Sequence, residues 1–198
     1  MRNFRIPITI FFFIFSSFIL SDDAHSYVQS IHAEIVEVIK ENQDKYTEDP
    51  DLFISKIGKA LEPLVDFNRI SRNVMGKHYK SASVDQRNQF TVTFKKSLLD
   101  TYAKTLAEFK DEKINVLPAK EKSKKQGREK VYIEIITETK KYPGVYSMYL
   151  DNNGNWKIIN IVINGVNLGL TFRNQFYSLM EGKLANYDSV ITAWETSL

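Results

Sequence analysis

Hydrophobic residues recur every three or four positions through the first half of the chain, which is the spacing of one apolar helix face. Asp66 and Gly76 suit the start and the end of one such helix, because both are favoured cap residues. Pro50 suits a helix start, and the residue before Pro63 disfavours helix. The pattern predicts helices over residues 28–42, 50–62, 66–76 and 83–109.

The longest of these predicted helices begins with a capping-box pattern formed by Ser83 and Gln86. A stripe of large apolar residues then advances in four-residue steps. Its members are Phe90, Phe94, Leu98, Tyr102 and Leu106. This stripe predicts a broad aromatic face that packs on another layer.

After Lys113 the hydrophobic period changes to two, which predicts strands over residues 114–117, 131–135, 145–150 and 156–163. Residues 151–154 (DNNG) are typical of a hairpin turn. The charged residues 120–130 predict a hairpin loop. A helix through Phe172 and Phe176 and another from about Lys183 complete the chain. Helices, an antiparallel meander and further helices predict an α+β fold.

A curved antiparallel sheet around a long helix forms a cone, which is either filled by side chains or open as an apolar cavity. Strand 156–163 is apolar on both faces, and strict alternation puts Ile158 and Val162 on one face. The residues predicted to face the cone, as the lining of an apolar pocket or as a dry core, are Phe94, Leu98, Tyr102, Val131, Ile133, Tyr146, Met148, Ile158, Val162, Phe172 and Phe176.

The first 26 residues read as a secretory signal peptide, which leaves residues 27–198 as one domain. Arg2 and Arg5 form the positively charged n-region of the signal peptide, and an apolar h-region follows to Leu20. Ala24 and Ser26 are small residues placed for cleavage after Ser26. The apolar run is shorter than the roughly 20 residues of a spanning helix, so cleavage is favoured over a retained anchor. The signal peptide predicts export across a membrane.

Composition excludes several classes of chemistry. The net charge is only +3, which gives no argument for nucleic acid. The chain has no cysteine, so it has neither disulfides nor a thiolate metal site. His32 and His78 lack the spacing of metal ligands. The sequence therefore predicts no catalytic site, no metal and no cofactor.

Three segments in order resemble the MlaC family of toluene-tolerance-type periplasmic phospholipid-binding proteins. Residues 65–70 (VDFNRI) and 74–79 (VMGKHY) resemble its DF-x-x-I and LG-x-x-W patterns. Residues 86–90 (QRNQF) continue the match. Residues 154–158 (GNWKI), 165–168 (GVNL) and 172–176 (FRNQF) resemble a later block.

The resemblance spans roughly residues 30 to 195. It implies a nuclear-transport-factor-two-like cone with an apolar cavity and a phospholipid as cargo. The resemblance therefore favours the candidate residues of the cone as the lining of a lipid-tail pocket over a dry core. It also implies a monomeric shuttle between an inner-membrane ABC transporter complex and an outer-membrane lipoprotein complex, in a system that maintains outer-membrane lipid asymmetry. The chain departs from the family at Tyr79, which replaces tryptophan, and at Asn160, Asn164 and Asn167. These changes concern local hydrogen bonds or partner contacts more than apolar lining.

Two charged features have a functional and a structural interpretation. Arg173 could contact a phosphate at the cavity mouth or form a structural ion pair. The basic loop 120–130 could steer the protein to anionic head groups, or be a solvated hairpin tip.

Two other functions remain open. One is a cone-fold small-molecule enzyme with Asp66 or Glu134 as a base. Asp66 is better explained as a helix cap, and Glu134 alternates away from the apolar face. The other is a protein-binding export factor with a filled core, which would hold no lipid.

Overall fold

Seven α-helices and five strands are formed in the computed structural model, which describes residues 23–109, 112–119, 123–182 and 186–194. The helices are α1 Ala24–Glu41, α2 Lys45–Glu48, α3 Pro50–Leu61, α4 Phe67–Met75, α5 Val84–Ala107, α6 Leu168–Glu181 and α7 Tyr187–Trp194. The four helices predicted in the first half are confirmed. The short α2 was not predicted, and the predicted start of the last helix at Lys183 lies outside the described residues.

The predicted cap residues work as expected. The Asp66 carboxylate accepts a hydrogen bond from the Arg69 N–H at 2.8 Å and starts α4. Ser83 and Gln86 form the reciprocal capping box of α5. Gly76 ends α4 with a φ of 49°, a conformation that favours glycine. Local sequence therefore fixes where these helices begin and end.

The strands form one antiparallel sheet in the order β1-β2-β3-β4-β5. They are β1 Lys113–Val116, β2 Arg128–Ile136, β3 Lys141–Leu150, β4 Trp156–Ile163 and β5 Val166–Asn167. The DNNG segment forms the turn between β3 and β4, and the Asp151 carboxylate accepts from the N–H groups of Asn153 and Asn155. The first four strands are confirmed, and β5 was not predicted. Of the predicted loop 120–130, residues 120–122 lie outside the described residues, and residues 128–130 belong to β2, so the prediction is wrong for this end of the loop.

A β-bulge at Ile159 reverses the alternation of β4. Ser147 and Met148 are adjacent in β3, yet they pair with Asn160 and Ile158, so Ile159 is the extra residue. Beyond the bulge, Ile161 pairs with the buried Tyr146. The expectation that Val162 shares a face with Ile158 is therefore wrong.

Two apolar cores meet along α5. In the first core, α1, α3 and α5 pack on the buried face of the sheet. In the second core, α4, α5, α6 and α7 surround Trp194, which is fully buried. Phe90 is within 5.3 Å of the Trp194 ring, centroid to centroid. The α+β fold expected from the sequence is confirmed, with helices packed against one face of an open, bulged sheet.

The first helix begins at Ala24, two residues before Ser26, the predicted end of the signal peptide. Asp23 caps α1 by accepting from the N–H groups of His25 and Ser26. Ala24 is buried in the first core. Cleavage after Ser26 would remove both residues, and its position stays a prediction because residues 1–22 lie outside the described residues. Among the described helices, none combines the length and apolar character needed to cross a bilayer.

Candidate functional site

An apolar cavity of about 150 Å³ lies where the two cores meet at the edge of β4. Its walls come from the end of α3, the α3–α4 linker, α4, α5, β4 and the start of α6. The lining residues are Leu61, Val65, Phe67, Ile70, Phe94, Leu98, Asn160, Ile161, Leu168, Gly169 and Phe172. Asn160 is the polar member of this set. The cavity can hold hydrocarbon but offers almost nothing to a polar molecule.

Three of the residues predicted to line a lipid pocket line this cavity: Phe94, Leu98 and Phe172. Phe94 and Phe172 stack edge to face with centroids 5.5 Å apart. Leu98 lies one helical turn further along α5. The stripe on the long helix thus contributes to both a core and a cavity wall.

Six other candidates are packed inside the two cores and do not reach the cavity. Phe176 belongs to the second core. The remaining five belong to the first core: Val131, Ile133, Tyr146, Met148 and Ile158. Ile133 is held against Gly144, where an added Cβ would lie only 2.7 Å from Ile133 Cγ1. The residues that sequence reasoning treated as one lining set are therefore divided between dry cores and a cavity.

Tyr102 and Val162 face away from the cavity. Tyr102 is 42% exposed. Each four-residue step on a helix overshoots a full turn by about 40°, so three steps from Phe90 rotate Tyr102 by about 120°. Leu99 and Ala103 take the buried positions instead. Val162 lies on the opposite face of the sheet because of the Ile159 bulge, where it pairs with Val145.

Arg173 does not line the cavity either. Its Nε donates a hydrogen bond to the Asn73 carbonyl oxygen at 2.9 Å. This contact joins α6 to the last turn of α4, whose carbonyl groups lack partners within the helix. Among the described residues this contact of Arg173 is a structural one, with a carbonyl group as partner where the sequence suggested a carboxylate.

The cavity wall missed by sequence reasoning is the α3–α4 linker. The Ile158 N–H donates to the Leu64 carbonyl at 2.7 Å, and the Asp66 N–H donates to the Ile158 carbonyl at 3.2 Å. Val65 thereby forms a parallel bridge with Ile158 at the free edge of β4. The apolar pair Leu64 and Val65 between Pro63 and Asp66 was the available signal, since apolar residues in a short linker usually pack against something.

A buried polar pair lies inside the first core, under the sheet. The Tyr146 hydroxyl and His32 Nε2 are 3.2 Å apart. Burial lowers the pKa of His32 to about 4 and raises the pKa of Tyr146. Both groups are therefore neutral at pH 7, and the pair adds no charge to the apolar interior.

The two carboxylates considered as catalytic bases have other contacts. Asp66 caps α4 and also accepts a hydrogen bond from the Tyr149 hydroxyl. Glu134 lies 3.8 Å from the Lys141 ammonium, on the opposite face of the sheet from Ile133. Neither residue lines the apolar cavity. In the part of the chain that the structure describes, no group of three His, Asp or Glu side chains is arranged to hold a metal ion.

Comparison with known proteins identifies the class. The model of the MlaC protein family matches residues 29–196. The chain belongs to this family, as its motifs predicted.

Two relatives are similar over most of the chain. The toluene tolerance protein ttg2D of Pseudomonas putida is 32% identical over 173 residues, which cover 86% of this chain and 79% of that protein. The intermembrane phospholipid transport system binding protein MlaC of Haemophilus influenzae is 25% identical over 173 residues, covering 81% and 78% of the two chains.

A solved structure has the same fold. It is the phospholipid-binding protein from Ralstonia solanacearum in complex with a phospholipid, with a TM-score of 0.76 and 22% identity. The match covers 88% of this chain and 96% of that one. The arrangement of helices and sheet described above is therefore also found in a protein of solved structure.

Proposed function

We propose that this protein is a periplasmic carrier that binds a phospholipid by its acyl chains. The observation that carries the proposal is the apolar cavity between the two cores of a chain that belongs to the MlaC family. A relative named as a phospholipid transport binding protein and a structural neighbour in complex with a phospholipid support the same cargo.

The energetics favour burial of the tails. Two acyl chains carry roughly 30 methylene groups, and each contributes about 0.8 kcal/mol when it leaves water. Exposure of both chains would cost on the order of 20 kcal/mol. A carrier must therefore enclose the tails, whereas the polar head group can stay in contact with water.

Loading requires the cavity walls to separate. The cavity measures about 150 Å³. An apolar cavity of this size in another protein binds one benzene molecule. Two acyl chains need several times that volume.

We also propose that binding and release are the whole activity, with no covalent change to the lipid and no cofactor. The partners would be an inner-membrane ABC transporter complex and an outer-membrane lipoprotein complex. Export through a cleaved signal peptide would bring the protein to the compartment between them.

Mass spectrometry of the purified exported protein tests this proposal. A native spectrum should contain a species heavier by the mass of a phospholipid, and an organic extract should contain the same lipid in stoichiometric amount. Protein purified only at its bare mass, and still empty after incubation with phospholipid vesicles, would refute the carrier function.

A further inference from the structure

A polar groove of about 330 Å³ adjoins the apolar cavity. The two share Val65 and Phe67 as lining residues. The remaining groove residues are polar or charged, and among them are Glu62, Asp66, Lys95, Tyr149, Asp151 and Lys157. A molecule that lies against Val65 and Phe67 would therefore contact the apolar cavity on one side and the charged groove on the other.

Two lysine ammonium groups point into this groove from different elements. The Lys95 Nζ on α5 lies 2.6 Å from a Glu62 carboxylate oxygen and 5.3 Å from the centre of the Phe67 ring. The Lys157 Nζ on β4 donates to the carbonyl oxygens of Glu62 and Pro63, at 2.9 and 2.7 Å. These contacts hold both cations beside the linker that also walls the cavity.

The carboxylates of the groove are held by donors of the protein itself. Asp66 caps α4 and accepts from Tyr149, and Asp151 accepts from two N–H groups of its own turn. Two further cations lie beside Tyr149, whose side chain lines the groove. The guanidinium groups of Arg69 and Arg128 are 4.0 and 5.4 Å from the centre of the Tyr149 ring. Two lysines and three carboxylates line the groove itself, and with Arg69 and Arg128 the local balance becomes one positive charge.

We infer that this groove binds the phosphate ester of the phospholipid whose tails enter the adjoining cavity, with Lys95 and Lys157 as its ligands. The inference rests on the proposed function and adds the position of the head group. Charge-assisted hydrogen bonds from ammonium groups to phosphate oxygens are strong at a partly buried site. The Lys95 side chain is 28% exposed, so its charge is only partly screened by water.

Glu62 distinguishes a phosphate site from a structural ion pair, because its carboxylate competes with the phosphate for Lys95. Lys95→Gln and Glu62→Gln break the same ion pair, and a purely structural pair would be weakened equally by either change. A phosphate site predicts opposite effects: Lys95→Gln removes a ligand, whereas Glu62→Gln frees one.

The test compares two lipids with identical acyl chains, a phospholipid and the corresponding diacylglycerol, which lacks the phosphate. Each protein is incubated with vesicles that contain both lipids, and native mass spectrometry gives the ratio bound. In Lys95→Gln/Lys157→Gln the preference for phospholipid should fall about tenfold. It should rise in Glu62→Gln and be retained in Lys95→Arg/Lys157→Arg. The matched control is Lys45→Gln, which breaks a 2.6 Å ion pair with Glu48 outside the groove and should behave as wild type.

The outcomes separate this inference from the proposed function. If the wild-type protein binds neither lipid, the carrier function itself fails. If it binds both, and the ratio is the same in the wild type, in Lys95→Gln/Lys157→Gln and in Glu62→Gln, the head-group site is refuted. Should the double glutamine variant not fold, the ratio in Glu62→Gln decides alone. Inorganic phosphate in excess should not abolish the preference, and full competition by it would indicate a site for free anions.

Discussion

The Asn160 side-chain oxygen accepts a hydrogen bond from the Gly169 N–H at 3.0 Å, which joins β4 to the first turn of α6 beside the cavity. The other two asparagines that depart from the family pattern also have local roles. Asn164 has a φ of 48° in the turn before β5, a conformation that asparagine tolerates well. Asn167 caps α6 by accepting from the Leu170 N–H at 3.0 Å. All three departures are therefore compatible with the family's fold.

The Asn160 contact predicts a difference between two substitutions. Asn160→Leu leaves the partly buried Gly169 N–H without its acceptor, so it should lower the free energy of unfolding by about 1–3 kcal/mol. Asn160→Asp keeps an acceptor oxygen and should cost clearly less. Urea denaturation measures both values. Equal losses in the two variants would indicate that the hydrogen bond is not what stabilises this junction.

Filling the cavity should abolish lipid binding without unfolding the protein. Leu98 lines the cavity, so Leu98→Trp places a ring in the volume meant for the acyl chains. The matched control is Val92→Trp on the same helix, where the side chain is 69% exposed. Circular dichroism should report both variants folded, and native mass spectrometry should find lipid only in Val92→Trp. Wild-type lipid occupancy in folded Leu98→Trp would contradict the assignment of the cavity.

Acid should destabilise the protein through His32. Its pKa is about 4 in the folded protein and 6.5 when unfolded, so between these values the unfolded chain binds more protons. The contribution of His32 to the free energy of unfolding is therefore fully present above pH 6.5. It decreases by about 3 kcal/mol as the pH drops towards 4. The free energy of unfolding measured across this range should fall less steeply in His32→Leu. Some slope should remain, because burial and Lys77 also lower the pKa of His78. An unchanged slope in His32→Leu would contradict the prediction.

Gly76 should be far less tolerant of substitution than Gly165. Both have positive φ angles, 49° and 82°, so alanine is strained at either position. At Gly76 an added Cβ would also lie 2.2 Å from the Tyr177 Oη, whereas the space around Gly165 is open. Gly76→Ala should thus lower the melting temperature more than Gly165→Ala, because it must also displace the Tyr177 side chain. Similar shifts would mean that Tyr177 moves aside at no cost.

The sequence predicted the elements better than the faces of those elements. Caps at Asp66 and Ser83 are local signals, and the helices they start were located correctly. The Ile159 bulge depends on how β4 pairs with β3, so strict alternation put Val162 on the wrong face. The rotation of Tyr102 out of the stripe is visible in the sequence once the 3.6-residue period replaces four-residue steps.

The cavity could be predicted only in part for a similar reason. Leu98 and Phe172 belong to periodic helices, so their faces can be read from spacing. Val65 and Phe67 line the cavity because the linker pairs with Ile158 at the sheet edge, a contact 93 positions away in the chain. Nothing in local periodicity encodes that contact.

Photocrosslinking from the cavity wall tests the central claim most directly. A photoreactive diazirine analogue of leucine, close to leucine in size so that it does not fill the cavity, is placed at Leu98 in one protein and at Val92 in another. Each protein is incubated with phospholipid vesicles and irradiated. We expect a covalent adduct with the mass of a phospholipid at Leu98, with fragment ions on the acyl chain, and none at Val92. A lipid-loaded protein that crosslinks equally at both positions, or at neither, would contradict burial of the tails between the two cores.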